Sequence, residues 1–293
     1  MKKSMLLFPL TAGIFGVAAG VIRGVSLNTA YEIGTKLHME GDIAGMAVMI
    51  LSIVFFVLAL AMLGRYQGGK EIAFEDAFRC DDGWYKMFSV FCGMLLAAGG
   101  VLGLYLSFLH NEVIIYAFAR QSPLAAVPGK IAWVFMVISG IALVVFAGRQ
   151  MRQDFSKQHG FWILLPVFWM CLELVAEYNE NAAIPVISTF AYGILCRIAL
   201  MVAFYMIARL VFIKPGAKGF LFAGMLAVYF VLLDGSSYFI NALGAQNVFE
   251  LTPVTAVKHI LLIVAALFLA ANMAVVAGND KQSRKTSAEP ANQ

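Results

Sequence analysis

Long apolar stretches separated by short polar connections dominate the chain. A helix needs about 20 mostly apolar residues to cross the roughly 30 Å hydrocarbon core of a bilayer. The stretches are continuously apolar rather than alternating, which favours helices over the strands of a barrel. We therefore predict an all-α integral membrane protein, a bundle of about eight transmembrane helices. The eight stretches are Met5–Ser26, Ile43–Leu63, Trp84–Leu109, Ile131–Gly148, Phe161–Tyr178, Val186–Ile213, Phe220–Ile240 and Val254–Val276.

The basic residues predict how this bundle is oriented. Most of the 21 lysines and arginines fall near the chain ends or in the connections on the same side as the N-terminus. Because cytoplasmic connections are enriched in Lys and Arg, we predict that both termini are cytoplasmic. The basic connections and the compact size favour a multi-pass protein of a cell membrane, most simply the bacterial inner membrane. The first stretch follows Lys2 and Lys3 like a signal peptide, but it is long for one, and we assign it as the first span.

Composition limits what else the chain contains. Of its 293 residues, 61% are hydrophobic and 13% charged, whereas soluble domains are nearer half and a quarter. We predict one transmembrane domain over residues 1–278 and a disordered cytoplasmic tail over 279–293, where the sequence becomes polar. The net charge of +4 is spread over the connections, so the expected partner is the lipid bilayer and not a nucleic acid.

The connection between the second and third stretches contains an amphipathic segment. Phe74 and Phe78 are four residues apart, and Glu75 precedes Arg79 by four, which places each pair on one helical face. The spacing predicts a short helix lying on the inner membrane surface. A docking site for a membrane protein partner is the alternative interpretation of its two phenylalanines.

Acidic residues inside the fifth stretch are the strongest chemical signal. Glu173, Glu177 and Glu180 are spaced i, i+4, i+7, which stacks them on one face of a helix. An ionisable residue at the centre of a span costs roughly 2.5–3.5 kcal/mol on insertion scales, so it persists where it is paired or faces water. The spacing predicts an acidic ladder that leads from the outer surface into the bilayer, unless the helix ends before the last two acids.

A second polar face occurs in the seventh stretch, where Asp234, Tyr238 and Asn241 share one side of the predicted helix. Basic residues lie within reach in neighbouring stretches. Arg197 is near the middle of the sixth stretch, and Arg23 is near the outer end of the first. We expect these polar faces to converge on an outward-facing polar cavity.

Pairing between the acids and bases follows from this expectation. Because the fifth and sixth stretches are joined by a short connection, we hypothesise that Arg197 pairs with Glu173, either as a fixed structural pair or as a pair that a substrate opens. For Arg23 and Lys258 we consider two positions, facing Asp234 or extending to the membrane surface.

Metal and cofactor motifs are missing from the sequence. The four cysteines form no CxxC pair, and no two of the outer histidines His38, His110 and His259 have the spacing of metal ligands. No phosphate-binding loop, dinucleotide fingerprint or HExxH motif occurs. We therefore predict neither a bound metal nor a cofactor, and an enzymatic activity is not favoured.

The candidate site residues are Glu173, Glu177, Arg197, Asp234, Tyr238, Asn241 and Arg23. Together they favour a permease or secondary transporter that binds a small cationic or zwitterionic solute, or a coupling proton, in the outer cavity. Glu173 would bind the charge, Asp234 would assist, and Arg197 would act as counter-ion. Two alternatives stay open: a membrane sensor or accessory subunit of a larger membrane complex, and an intramembrane enzyme.

Overall fold

A computed structural model describes residues 6–31, 39, 41–66, 73–80, 82–109, 127–150, 156–181, 187–212, 217–244 and 252–288. For 187–189 and 280–288 the description is limited to the helical backbone. Eight helices in these ranges are long and apolar enough to cross a membrane, which confirms the predicted all-α membrane architecture.

The helices of this part of the chain follow one another through short connections, and all regular structure is helical apart from an isolated bridge at Tyr31. A four-residue helix and a 3₁₀ turn, Phe161–Ile163, precede α7 and continue into it, so that Lys157–Asn181 forms one span. The helices are α1 (Leu7–Thr29), α2 (Ile43–Arg65), α3 (Phe74–Phe78), α4 (Gly83–Leu109), α5 (Val127–Arg149), α6 (Lys157–Gly160), α7 (Leu164–Asn181), α8 (Ile187–Phe212), α9 (Lys218–Leu243) and α10 (Pro253–Ala288).

All the spanning helices except α8 extend beyond their predicted stretches at one end or both, because polar and small residues continue a helix that apolarity alone does not mark. The span of α7 illustrates this, since it begins at Lys157 with a capping box between Ser156 and His159. Helix α10 continues through Asn279 to Ala288 and therefore includes part of the segment 279–293, which we predicted as disordered tail. Residues 289–293 lie outside the described residues.

The centre of the bundle is formed by α9 and α10, whose spanning windows are 67% buried, whereas that of α2 is only 22% buried. Helix α1 approaches α9 closely along three glycines at four-residue spacing. A Cβ on Gly16 would lie 2.8 Å from the Tyr229 carbonyl oxygen, and one on Gly20 would lie 2.7 Å from that of Leu233. Small residues are thus required for this contact, as they are in other tightly packed membrane helices.

Helix α3 is the predicted short helix, but its phenylalanines meet protein instead of the membrane interface. Phe74 and Phe78 are both fully buried in the protein, so they do not lie in the membrane interface and do not offer a docking surface. The Phe78 ring packs 5.6 Å from that of Phe220 in α9 and 6.0 Å from that of Phe146 in α5. An amphipathic pattern shows that one face is apolar but not whether that face meets lipid or protein, and this is why the predicted location is wrong.

Hydrogen bonds to backbone carbonyls hold α3 in this position. Asn279 of α10 donates to the carbonyl oxygens of Ala77 (2.9 Å) and Arg79 (2.7 Å). Gln150, which follows α5, donates to the carbonyl oxygen of Phe78 at 3.2 Å. These bonds satisfy carbonyls that a helix leaves unpaired at its C-terminus.

Candidate functional site

Ionisable side chains from five helices meet near one end of the bundle, where α1, α7 and α9 end and α10 begins. We call this group the charge cluster. Glu173 and Asp234 lie about 12 Å along their helices from the nearer end, so the cluster reaches well into the apolar region. Its members are Arg23, Glu173, Glu177, Glu180, Arg197, Asp234, Lys258 and His259.

Arg197 joins α8 to the acidic ladder of α7. Its Nη2 lies 2.7 Å from Glu177 Oε2, and its Nε lies 3.9 Å from Glu173 Oε2. Its Nη1 donates to the carbonyl oxygen of Gly193 at 2.8 Å. The hypothesised partner Glu173 is therefore adjacent, but Glu177 is the nearer carboxylate.

Lys258 connects α10 to the same ladder. Its Nζ donates to both oxygens of Glu180 at 3.3 Å and lies 3.7 Å from Glu173 Oε2. Of the two positions considered for Lys258, facing Asp234 or reaching the surface, neither is observed. Its side chain is 7% exposed and turned towards α7. The aliphatic stem lets the ammonium reach inward as easily as outward.

Asp234 organises the other half of the cluster. Its Oδ1 accepts a hydrogen bond from Arg23 Nη1 at 3.3 Å, and its Oδ2 lies 3.4 Å from His259 Nε2. The Arg23 guanidinium also lies over the Tyr192 ring, 4.3 Å from its centroid, a favourable cation–π geometry. Asp234 thus has two basic groups on opposite oxygens, one from α1 and one from α10.

Gly193 of α8 is the point where the two halves meet. A Cβ built on Gly193 would lie 3.0 Å from Glu177 Oε1, 3.2 Å from Arg197 Nη1 and 3.7 Å from Asp234 Oδ1. Glu177 and Asp234 are therefore neighbours across this glycine. Any larger residue would occupy space next to two carboxylates and a guanidinium. Glycine at this position therefore allows these charged groups to approach one another.

Exposure falls steeply along the acidic ladder. The side chains of Glu180, Glu177 and Glu173 are 36%, 14% and 1% exposed, in that order. The order matches the predicted ladder, which leads from the surface to a buried carboxylate. The sequence interpretation in which the helix ends before Glu177 is wrong, because α7 continues to Asn181.

Two predicted site residues, Tyr238 and Asn241, lie beside the cluster and secure the helices around it. Tyr238 stacks on the His259 ring with 4.0 Å between centroids, and its hydroxyl lies 2.5 Å from Thr255 Oγ1. Asn241 donates to Asn28 Oδ1 of α1 at 2.9 Å. Both side chains are buried, and these contacts join α9 to α10 and to α1.

Three members of the cluster were not among the candidate residues predicted from sequence: Glu180, Lys258 and His259. Glu180 was visible as the last member of the ladder. Lys258 and His259 are adjacent at the start of α10, where basic residues are common in any membrane helix. Only the tertiary contacts with α7 and α9 distinguish them from interfacial residues.

The predicted polar faces converge, although oppositely charged side chains fill much of the space between them. An apolar recess of about 400 Å³ lies nearby between α9 and α10 and is lined by Phe239, Ala242, Leu243, Thr252, Pro253 and Ala256. Within the described residues no group of three or more His, Cys, Asp and Glu side chains is arranged to hold a metal ion. His38 and His110 lie outside the described residues.

The fold and this site define the class of the protein: a multi-pass helical membrane protein with a charge cluster inside its helix bundle. No family model, no curated protein and no solved structure matches the chain.

Proposed function

We propose that the protein is a secondary transporter that binds a small cationic or zwitterionic solute at the charge cluster. The observation that carries this proposal is the composition of the cluster, in which four carboxylates surround three permanent cations and one histidine. With a neutral histidine, the cluster has one negative charge in excess. A cation or a proton would balance it, and the ammonium of a zwitterion would be attracted by it.

The cost of such a cluster supports a functional role. Each ion taken out of water loses several kcal/mol of hydration, and well-packed apolar residues often replace buried ion pairs at no loss of stability. A structural need alone therefore does not explain eight ionisable side chains in one place. In membrane proteins, intramembrane ionisable groups are concentrated along substrate and ion pathways.

The ion pairs of the charge cluster suggest how a solute would bind. Glu177 and Glu180 are partly exposed and would attract a cation from the surface. Arg197 and Lys258 both lie near Glu173, at distances longer than direct hydrogen bonds. An arriving ammonium would replace one of these two cations beside Glu173, while the released cation remained paired with Glu177 or Glu180. Each step exchanges one ion pair for another and leaves no charge isolated.

Asp234 would respond to the same exchange through Gly193. Its carboxylate lies next to Glu177 across that glycine and binds both α1 and α10. A change in the charge beside Glu177 would alter the balance between Arg23 and His259 at Asp234. Helices α1, α7, α8, α9 and α10 would then move relative to one another, as alternating access requires.

Uptake by proteoliposomes tests the proposal. Vesicles containing wild-type protein, Glu173→Gln or Asp76→Asn would be incubated with a mixture of amino acids, amines and inorganic cations, and their contents measured by mass spectrometry. Asp76 is an exposed acid in α3, so Asp76→Asn is a matched carboxylate-to-amide control. We expect uptake by wild type and Asp76→Asn and none by Glu173→Gln. Equal uptake by all three, or by none beyond empty vesicles, would refute the transport proposal.

We also propose that the protein lies in a bacterial inner membrane with both termini in the cytoplasm. The positive-inside distribution of Lys and Arg supports it. In this orientation the charge cluster opens to the outer surface. A tag placed after Gln293 tests the orientation, because a protease added to intact spheroplasts should cleave it only after the spheroplasts are lysed. Cleavage in intact spheroplasts would show that the C-terminus lies outside and contradict the prediction.

A further inference from the structure

Three buried polar groups in or beside the charge cluster lack hydrogen-bond partners. Glu173 Oε2, Arg197 Nε and Trp169 Nε1 are each inaccessible to solvent and make no hydrogen bond among the described residues. Among the same residues Arg197 Nη2 also makes none, but it is held in an ion pair 2.7 Å from Glu177 Oε2. Two buried hydroxyls elsewhere in the bundle are likewise unpaired within the described part of the chain, those of Ser89 and Ser139. Almost all buried polar atoms in folded proteins are paired, and an exception points to a water or ligand that completes the bonding. Of the first three atoms, one is an acceptor and two are donors.

Glu173 Oε2 is close to two cations without a hydrogen bond to either. Its Oε2 lies 3.9 Å from Arg197 Nε and 3.7 Å from Lys258 Nζ. A direct hydrogen bond between such atoms has a length of 2.7–3.2 Å in general. The charges therefore attract one another without sharing a hydrogen bond, and a polar atom placed beside the pair, within reach of both partners, would complete the bonding on both sides.

Trp169 adds a second donor on the same face of α7. It precedes Glu173 by four residues, one helical turn, and both side chains are buried, with Trp169 fully so. A buried indole normally finds an acceptor for its N–H group. Its unpaired state is independent of the ion pairs that define the cluster.

We infer that Glu173, Arg197 and Trp169 form the recognition point for an amino-acid-like zwitterion, whose ammonium binds Glu173 and whose carboxylate binds Arg197 and Trp169. This inference rests on the proposed function and names its substrate class. A simple amine would satisfy Glu173 but leave both N–H donors unpaired. A simple carboxylate would do the reverse. A solute with both groups on the same or adjacent carbons satisfies all three atoms and adds no net charge to the buried site.

A ligand series tests this without any substitution. Purified wild-type protein in detergent would be heated at constant pH and ionic strength with glycine, alanine, leucine, lysine or glutamate. Each amino acid would be compared with its methyl ester and with the amine that lacks its carboxylate. A ligand that binds only the folded protein raises the midpoint of thermal unfolding. We expect at least one amino acid to raise it, and its ester and amine to raise it far less.

Tryptophan fluorescence places the ligand at Trp169. The emission change that the stabilising amino acid produces should be absent in Trp169→Phe and retained in Trp162→Phe, which removes an exposed indole from the other end of the same span. Loss of one hydrogen bond to a charged group predicts at least about tenfold weaker binding in Trp169→Phe. Arg197→Lys, which keeps the charge but lacks Nε, should weaken binding similarly if Trp169→Phe does not fold.

The outcomes separate this inference from the transport proposal. Equal stabilisation by the amine and the amino acid overturns the zwitterion assignment and leaves transport of a cation standing. No stabilisation by any member of the series, with an unchanged Trp169 spectrum, assigns the three atoms to bridging water and also overturns the inference. Binding with the expected specificity but without uptake by proteoliposomes supports the recognition point and refutes transport.

Discussion

The buried polar side chains at the two ends of the helix bundle differ in charge and in how they are paired. At one end the charge cluster brings together eight ionisable groups, some of them at 3.7–3.9 Å from their partners. At the other end a group of buried neutral side chains is joined by hydrogen bonds. There the Tyr85 hydroxyl donates to Asn272 Oδ1 at 2.8 Å, and Gln150 Nε2 donates to the same oxygen at 3.2 Å.

We call Tyr85, Gln150 and Asn272 the amide cluster. It joins the start of α4 to the end of α5 and to the middle of α10, and Gln150 also holds α3 through the Phe78 carbonyl. Its polar atoms are satisfied within the protein, and the buried rings of α3 pack beside it. Neutral hydrogen bonds of this kind stabilise one arrangement of the helices.

The difference indicates that the charge cluster serves ligand binding and that the amide cluster serves stability. Ion pairs with gaps and unpaired atoms can exchange partners at little cost, whereas a satisfied amide network loses bonds if it opens. We therefore expect substitutions in the charge cluster to alter ligand binding, and substitutions in the amide cluster and α3 to alter stability alone. The following predictions test this contrast.

The largest effect is expected for Arg197→Gln. Removing this cation leaves four carboxylates facing two permanent cations, and loss of one partner from a buried ion pair costs about 3–5 kcal/mol. Glu173→Gln leaves three carboxylates and three permanent cations, and Arg197 and Lys258 keep Glu177 and Glu180 as partners. It should therefore destabilise the protein less than Arg197→Gln does, although ligand binding is lost. Equilibrium unfolding in mixed micelles measures both. Equal destabilisation by the two variants would contradict the charge balance on which the transport proposal rests.

Phe78→Ala tests the opposite end. The ring is fully buried between α5 and α9, and truncating such a residue costs about 3 kcal/mol through lost packing and the cavity left behind. Phe88→Ala is the control, because the Phe88 side chain in α4 is 40% exposed. We expect the first variant to lower the free energy of unfolding without changing ligand specificity. A change of specificity in Phe78→Ala would show that the two ends are coupled.

The features of the fold and the site that could be predicted from the sequence are those set by a pattern within one helix. The spans were predicted because about 20 continuous apolar residues match the thickness of the hydrocarbon core, and soluble proteins rarely contain such stretches. The ladder of Glu173, Glu177 and Glu180 was also visible, since helical spacing fixes which residues share a face. The contact between Arg23 and Asp234 was one of the two positions considered for Arg23 from the sequence.

Other features depend on which helix packs beside which. Lys258 and His259 are ordinary interfacial residues until α10 is placed against α7 and α9. The phenylalanines of α3 form an apolar face whose partner the sequence does not specify. Trp169 gave no signal, because whether a buried indole is satisfied is a property of the surrounding side chains and not of its own position in the chain.

Asn272→Ala should have a smaller effect than Phe78→Ala. It removes the acceptor shared by Tyr85 and Gln150, and leaving buried donors unsatisfied costs about 1–3 kcal/mol. Asn272→Asp keeps the acceptor but introduces a charge, and it should be the more damaging of the two substitutions. Thermal unfolding of both variants with and without the stabilising amino acid measures this. A ligand-induced shift that differs from wild type would contradict the assignment of this cluster to stability.

The smallest change in stability, and the sharpest test of the comparison, is expected for Gly193→Ala. The added methyl group would meet Glu177 Oε1 at 3.0 Å and Arg197 Nη1 at 3.2 Å, both of them ends of flexible side chains that can shift by a few tenths of an ångström. Alanine also favours a helix by up to about 1 kcal/mol relative to glycine, which offsets the crowding.

Gly148→Ala is the control, because nothing lies within 4 Å of its Cβ position and it gains the same propensity. We expect both variants to unfold within about 1 kcal/mol of wild type, but only Gly193→Ala to weaken binding of the amino acid. Unchanged binding in Gly193→Ala would mean that Glu177 and Arg197 can move freely, and that the spacing around Gly193 does not determine which solute the charge cluster accepts.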